Sequence, residues 1–315
     1  MLQYLPLNAG GVLDAKCDWV DLIDPTDDEI ERVRKIFGIR VPDLEEIREI
    51  EASSRLRVEG DILYMSAPLI AGTDTDLWQV APTGFILSPS VCVTVRFSVL
   101  SAFDTVIEEI VHEPEISPMA VLIRLLEEVV DRAADHLERA SATVAQASRD
   151  VFFDDPGSRG LRKDTALLRD VMRTIGQASD RASRVRYMFL SVDRIASYVI
   201  ERSNPKPGGM MRERLEAVRH DIASLDEFEV SLSSRIQLML DAATGFINIE
   251  QNDVVKVLTV ASVVGVPPVL VVGVYGMNFR HMPELSWTLG YPLALAMCIA
   301  SAIIPWLWFK WRGWL

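Results

Sequence analysis

Tyr275-Gly276-Met277-Asn278-Phe279 closes an uncharged apolar run that begins at Val257. A second such run, Leu289 to Phe309, follows after a short polar link. Each is about as long as the roughly 20 residues a helix needs to cross the hydrocarbon core of a bilayer. The runs are therefore read as transmembrane helices, 257–277 and 289–309, joined by an external loop 278–288 and followed by a basic tail 310–315 with Lys310 and Arg312. Asn278 falls where the first span meets the far membrane surface. Its uncharged amide has donor and acceptor atoms and stands beside a glycine that bares a backbone carbonyl. That pairing can hold the water shell of a cation without stripping it.

Composition narrows the alternatives. Both spans lie after Lys256, so the preceding residues read as soluble protein to which the spans are attached. The formal charge of −13 and the lack of a Lys/Arg cluster argue against nucleic acid, and the acidic surplus suits divalent cations better. Cys17, Cys92 and Cys298 are isolated, and His112, His136, His220 and His281 never fall at ligand spacing, so neither a zinc site nor a disulfide framework is expected. No phosphate loop, nucleotide fingerprint, nucleophile elbow or paired-histidine motif appears, so an enzyme is not expected. The N-terminus lacks the basic and long apolar regions of a cleaved signal. The large N-terminal part is thus expected in the cytoplasm, and two spans return the C-terminus to the same side, in agreement with Lys310 and Arg312.

Along the chain, Trp19 to Ile23 alternates like a strand, and Asp24-Pro25 is expected to cap and open a helix to Phe37, with Gly38 as its stop. Asp27, Asp28 and Glu29 suit the positive end of that helix without a metal. Segments Ile62–Met65, Leu77–Val80, Gly84–Leu87 and Val91–Val95 read as a strand meander, and helices are expected at about 42–51 and 101–111. These make an α/β domain, 1–115. Ser117-Pro118 opens an amphipathic helix to about Phe153, and a second helix from about Arg159 to Ser203 completes an antiparallel hairpin, 116–203. Asn204-Pro205-Lys206-Pro207-Gly208-Gly209 is a linker. After it the helical period runs through Leu215, Val218, Ile222, Leu225, Val230, Leu232, Ile236, Leu240 and Ile247 with no proline until Pro267. The stalk 204–256 and the first span are therefore expected to form one helix.

Tyr275 to Phe279, then Met282-Pro283-Glu284-Leu285, Gly290-Tyr291-Pro292, a Trp314-Leu315 terminus, and upstream Gly245-Phe246-Ile247-Asn248-Ile249-Glu250-Gln251-Asn252 and Pro267-Pro268, resemble the CorA family of magnesium channels. The likeness is one of motifs in the last quarter and of layout before it. It implies an α+β cytosolic domain with a long helical stalk and two C-terminal transmembrane helices, assembled as a funnel-shaped homopentamer in the cell inner membrane. It further implies influx of hydrated Mg2+, with Co2+ and Ni2+ as passengers, a Gly276-Met277-Asn278 selectivity filter, an external loop carrying Glu284, and no organic cofactor. A zinc transporter of the same superfamily and a membrane-tethered cytosolic sensor are the competing readings. The Met282–Leu285 loop favours magnesium, and no functional site in 1–203 supports the sensor.

Two spans from one chain cannot enclose a path for a hydrated ion, so a channel requires several copies. Positions at helical spacing back from Asn278 would then line it: Gly273, Val269, Val266, Ser262, Leu258, Val255 and Asn252. Rings of Val and Leu cannot coordinate an ion but can stop one by dewetting. Magnesium gives up its waters reluctantly, so Asn278 and the Gly276 carbonyl would bind its outer shell. Pro267-Pro268 frees the carbonyls of Val263 and Val264 and favours a bend. Val269 stands where relatives often carry threonine, and Arg280 where they often carry an acidic or neutral residue. The resemblance also implies that Mg2+ bound between cytosolic domains favours closure; Asp74, Asp76, Glu216 and Asp221 are the candidate ligands.

Overall fold

Strand pairing organises the N-terminal part of the chain. The computed structural model describes residues 2–5, 13, 17–49, 51, 55–72, 79–111, 116–152, 161–277 and 282–314. Strands β1 (Leu2–Leu5), β2 (Trp19–Ile23), β3 (Leu56–Glu59), β4 (Ile62–Ala71), β5 (Gln79–Leu87) and β6 (Cys92–Arg96) form one sheet in the order β1-β2-β6-β5-β4-β3. Only β2 and β6 run parallel. The expected meander is present with longer strands: the segments around Val80 and Gly84 are one strand, β5, which continues through Pro82. Pro82 stands opposite Pro68, and both lie past the ends of the registers with β6 and β3. The N–H that each lacks is therefore one no neighbouring strand requires.

Helices cover both faces of the sheet. On one, Val33 of α1 (Asp27–Phe37) and Ile47 of α2 (Leu44–Arg48) are buried with Val20, Leu22, Tyr64, Ile86, Val93 and Val95. On the other, Trp19 and Phe85 pack on Phe103 of α3 (Ser101–Ile110), with ring centroids 6.3 and 6.2 Å apart. That face also holds a buried ion pair. Asp21 Oδ2 accepts from Arg96 Nε at 3.0 Å and Nη2 at 2.9 Å, while Thr94 donates to Asp21 Oδ1 at 2.6 Å. Burial pushes the Asp21 carboxyl above its usual range, and the Arg96 charge pulls it back. One boundary differs from expectation: Thr26, not Asp24, caps α1. The Glu29 carboxylate accepts from Thr26 N at 2.9 Å, which draws its pKa down, so this acid completes a cap as well as meeting the helix dipole.

Three long helices follow: α4 (Pro118–Phe152), α5 (Leu161–Arg202) and α6 (Gly209–Tyr275). Ser117 Oγ accepts from Ala120 N at 3.2 Å, closing the start of α4 as its sequence suggested. By contacts the chain divides into two units, 1–154 with 170–240 and 155–169 with 241–315. In the first, α6 buries Leu215, Val218, Ile222, Leu232, Ile236 and Met239, each worth roughly 1.5–3 kcal/mol. The stripe corrects one position. Glu229 is 2% exposed and Val230 44%, because steps of four and three from Leu225 to Leu232 pass through 229. Glu229 is held there by Arg186 of α5 at 3.3 Å and Ser233 at 2.7 Å. Arg219–Asp193 and Arg214–Glu127 tie α6 to α5 and α4.

Candidate functional site

The second unit is built on the later part of α6, the 3-10 turn Pro283–Ser286 and α7 (Gly290–Trp311). The latter part of α6 and all of α7 are long and apolar enough to cross a membrane. They pack as an antiparallel pair along matching stripes. On α6 the more covered residues are Val260, Val264, Pro267, Pro268, Val271 and Tyr275; on α7 they are Ala294, Met297, Cys298, Ser301, Ala302, Pro305 and Phe309. Most of the α7 stripe is small, the residue type found where membrane helices meet. The Cys298 thiol donates to Pro268 O at 3.4 Å. Helix α6 continues through Pro267-Pro268, and this thiol bond supports the kink-prone turn from outside.

The other side of α6 is bare. Val255, Leu258, Val266 and Val269 are 58%, 66%, 58% and 71% exposed, and Asn252, Ser262 and Gly273 are exposed with them. At about 100° per residue these seven positions centre on the side of the helix roughly opposite the α7-covered stripe. The seven positions named from the sequence thus lie on the face that α7 leaves open. None of the seven is charged, and two of them, Asn252 and Ser262, are polar. A wall of Val and Leu of this kind excludes a bare ion and favours dewetting when narrow.

At the end of the span, Gly276 N donates to Val272 O at 2.9 Å and Met277 N to Val274 O at 3.3 Å, closing the helix. A Cβ on Gly276 would stand 3.1 Å from Val272 O and 3.6 Å from Gly273 O, so a side chain here crowds the last turn. Met277 is exposed. Asn278 and Arg280 lie outside the described residues. The backbone of Glu284 lies in the 3-10 turn.

Asp74 and Asp76 also lie outside the described residues. Glu216 is exposed and accepts from Arg212 Nε one turn away at 2.9 Å. Asp221 is exposed and stands near Asp131 of α4, whose carboxyl is pushed up by burial and then by Glu128, Asp221, Glu127 and Asp135. Like charges therefore crowd across the α4–α6 seam. Two of them are already paired, Glu128 with Arg132 at 2.8 Å and Glu127 with Arg214. Among the described residues no three His, Cys, Asp or Glu side chains gather as a metal-holding group. Sequence reading missed Asp131, because only its position across from Asp221, 90 residues away in the chain, marks it out.

The family model for the CorA-like Mg2+ transporter protein matches residues 14–311. The chain belongs to the CorA family. It is similar to the magnesium transport protein CorA of Sodalis glossinidius, with 34% identity over 97% of this chain and 94% of the relative. It is likewise similar to the magnesium transport protein CorA of Escherichia coli K12, with 32% identity over 94% and 92%. Both relatives are named for transport. Among solved structures, the complete CorA magnesium transporter of Methanocaldococcus jannaschii superposes with a TM-score of 0.73 at 20% identity, over 94% of this chain and 91% of that one. The full-length CmaX protein gives 0.67 at 16% identity, over 96% and 91%. The CorA fold, an α/β domain followed by long helices and two C-terminal apolar helices, is thus the fold of this chain.

Proposed function

We propose that this CorA-family chain is one subunit of a homopentameric channel that admits hydrated Mg2+ to the cytoplasm, with Co2+ and Ni2+ as lesser passengers. The observation that carries this reading is the bare face of α6. An apolar helix covered on one side by its own chain, and open on the side of Val255, Leu258, Val266 and Val269, has a face to give to a shared axis. Five copies would set rings of Val255, Leu258, Val266 and Val269 around that axis, with Asn252 at one end and the Gly276-Met277-Asn278 filter at the other. Asn278 and the Gly276 carbonyl would bind the outer water shell, suiting an ion that keeps its inner waters. Glu284 would sit in the external loop and raise the local cation concentration. The working division is a cytosolic domain 1–115, a hairpin 116–203, a stalk 204–256, spans 257–277 and 289–309, and a tail 310–315, with both termini in the cytoplasm and the spans in the inner membrane.

Internal Mg2+ would close the channel by bridging carboxylates of neighbouring subunits. Of the candidate ligands, Asp221 has the best support, because crowding near Asp131 is the kind of repulsion a divalent cation relieves. Purified protein reconstituted in liposomes should take up Mg2+ faster than Zn2+, and its mass in detergent should be that of five copies. A stable monomer or dimer, or Zn2+ uptake outrunning Mg2+, would contradict the proposal.

A further inference from the structure

Away from the spans, a cleft of about 310 Å³ opens between α2 and strands β3 and β4, lined by Glu46, Arg55, Arg57, Tyr64 and Ser66. Its volume is at the lower end of those that hold small ligands. Among the described residues, two buried polar atoms in it lack any hydrogen-bond partner: Ser66 Oγ, on a side chain 8% exposed, and Glu46 Oε2, whose companion oxygen accepts from Arg40. Buried polar atoms are nearly always bonded, so each asks for a partner from within the cleft. The guanidinium of Arg57 lies 4.6 Å over the Tyr64 ring beside Glu59, and that of Arg55 lies 5.4 Å over Tyr187 with its Nε on Glu49 O at 2.6 Å. Stacked this way, both guanidinium groups are held in place, and their Nη groups make no hydrogen bond among the described residues.

We propose that this cleft binds a small organic oxyanion, a phosphate ester or carboxylate that also bears a hydroxyl group. The Arg55 and Arg57 Nη groups receive the oxyanion, Ser66 Oγ donates to it, and Glu46 Oε2 accepts from the hydroxyl. A metal cation does not suit the cleft, because the two carboxyl groups on it, Glu46 and Glu49, stand among three guanidinium groups, Arg40, Arg55 and Arg57. The test is thermal unfolding of the full chain in detergent at fixed ionic strength with glycerol 3-phosphate, glycerate or neutral glycerol. One of the two anions should raise the melting temperature in a saturable way that glycerol does not reproduce, and whichever acts identifies the phosphate or the carboxylate as the ligand class. Arg57→Gln and Ser66→Ala should each weaken that effect at least about tenfold. Arg55→Gln, which removes the other guanidinium, should weaken it likewise. No rise with either anion would mean the cleft holds water only. An equal rise in all three variants would place binding elsewhere. Either result overturns the proposal.

Discussion

The two parts of α6 share one helical period and meet different surroundings. Between 215 and 239 every third or fourth residue is buried by α4 and α5 of the same chain, and ion pairs such as Arg219–Asp193 fix the register. Between 255 and 273 the corresponding open face is bare, although it is the more apolar of the two. A globular part keeps its apolar stripe inside because water expels it, and its open face is polar. A span has no such pressure, so an apolar open face there is free to meet lipid or another copy of itself. The first part is therefore expected to govern stability and the second conduction.

The largest effect expected from breaking this division is at the mouth. Asn278→Ala removes the outer-shell ligand, and Gly276→Ala sets a Cβ 3.1 Å from Val272 O; each should drop Mg2+ uptake into liposomes to the background of empty vesicles while the oligomer mass is unchanged. Next come the two stripes. Ile222→Ala or Ile236→Ala, in the buried part, should cost about 2–5 kcal/mol in urea unfolding with little direct effect on flux per folded channel. Leu258→Ala, at 66% exposure, should move stability by no more than about 0.5 kcal/mol and yet leak Mg2+ by widening an apolar ring. If Leu258→Ala unfolded the protein while leaving flux intact, the division would be reversed.

The smallest effect concerns His136 of α4, which is 2% exposed with neither ring nitrogen bonded among the described residues. Burial, with Arg181 and Arg139 nearby, draws its pKa from 6.5 down to about 4, against a smaller opposing pull from Asp135. The folded state thus favours neutral imidazole. Stability from this group is full above pH 6.5 and is lost as the pH falls towards 4, where the unfolded chain takes up the proton first. His136→Phe should flatten the acid limb of the stability profile in that window; an unchanged limb would show that other groups set it.

Much of the fold could be read from residues alone. The 67-residue α6 was legible because no proline interrupts its period before Pro267, and α4 was legible from Ser117-Pro118 and its apolar stripe. Strand β1 was not: four residues paired along one edge carry too short a pattern. The burial of Glu229 was hidden because hydrophobicity pointed to its neighbour Val230, while geometry required the charged residue and Arg186 offset its burial. Within the spans periodicity fails altogether, since a helix apolar all round has no face to read. Spacing from Asn278 named seven positions there, and only the packing of α7, through Cys298 and its small-residue stripe, shows which side of α6 is covered.

That difference between faces gives the most direct test. In a chain with Cys298→Ala, where Cys17 and Cys92 remain buried, single cysteines can be placed on either side of α6 and treated with a charged, water-soluble thiol reagent during Mg2+ uptake. Val266→Cys and Val269→Cys, on the bare face, should be modified and lose uptake, whereas Val264→Cys and Val271→Cys, under α7, should keep it. Block at 264 and 271 with none at 266 and 269 would contradict the assignment of the bare face of α6 as the ion path.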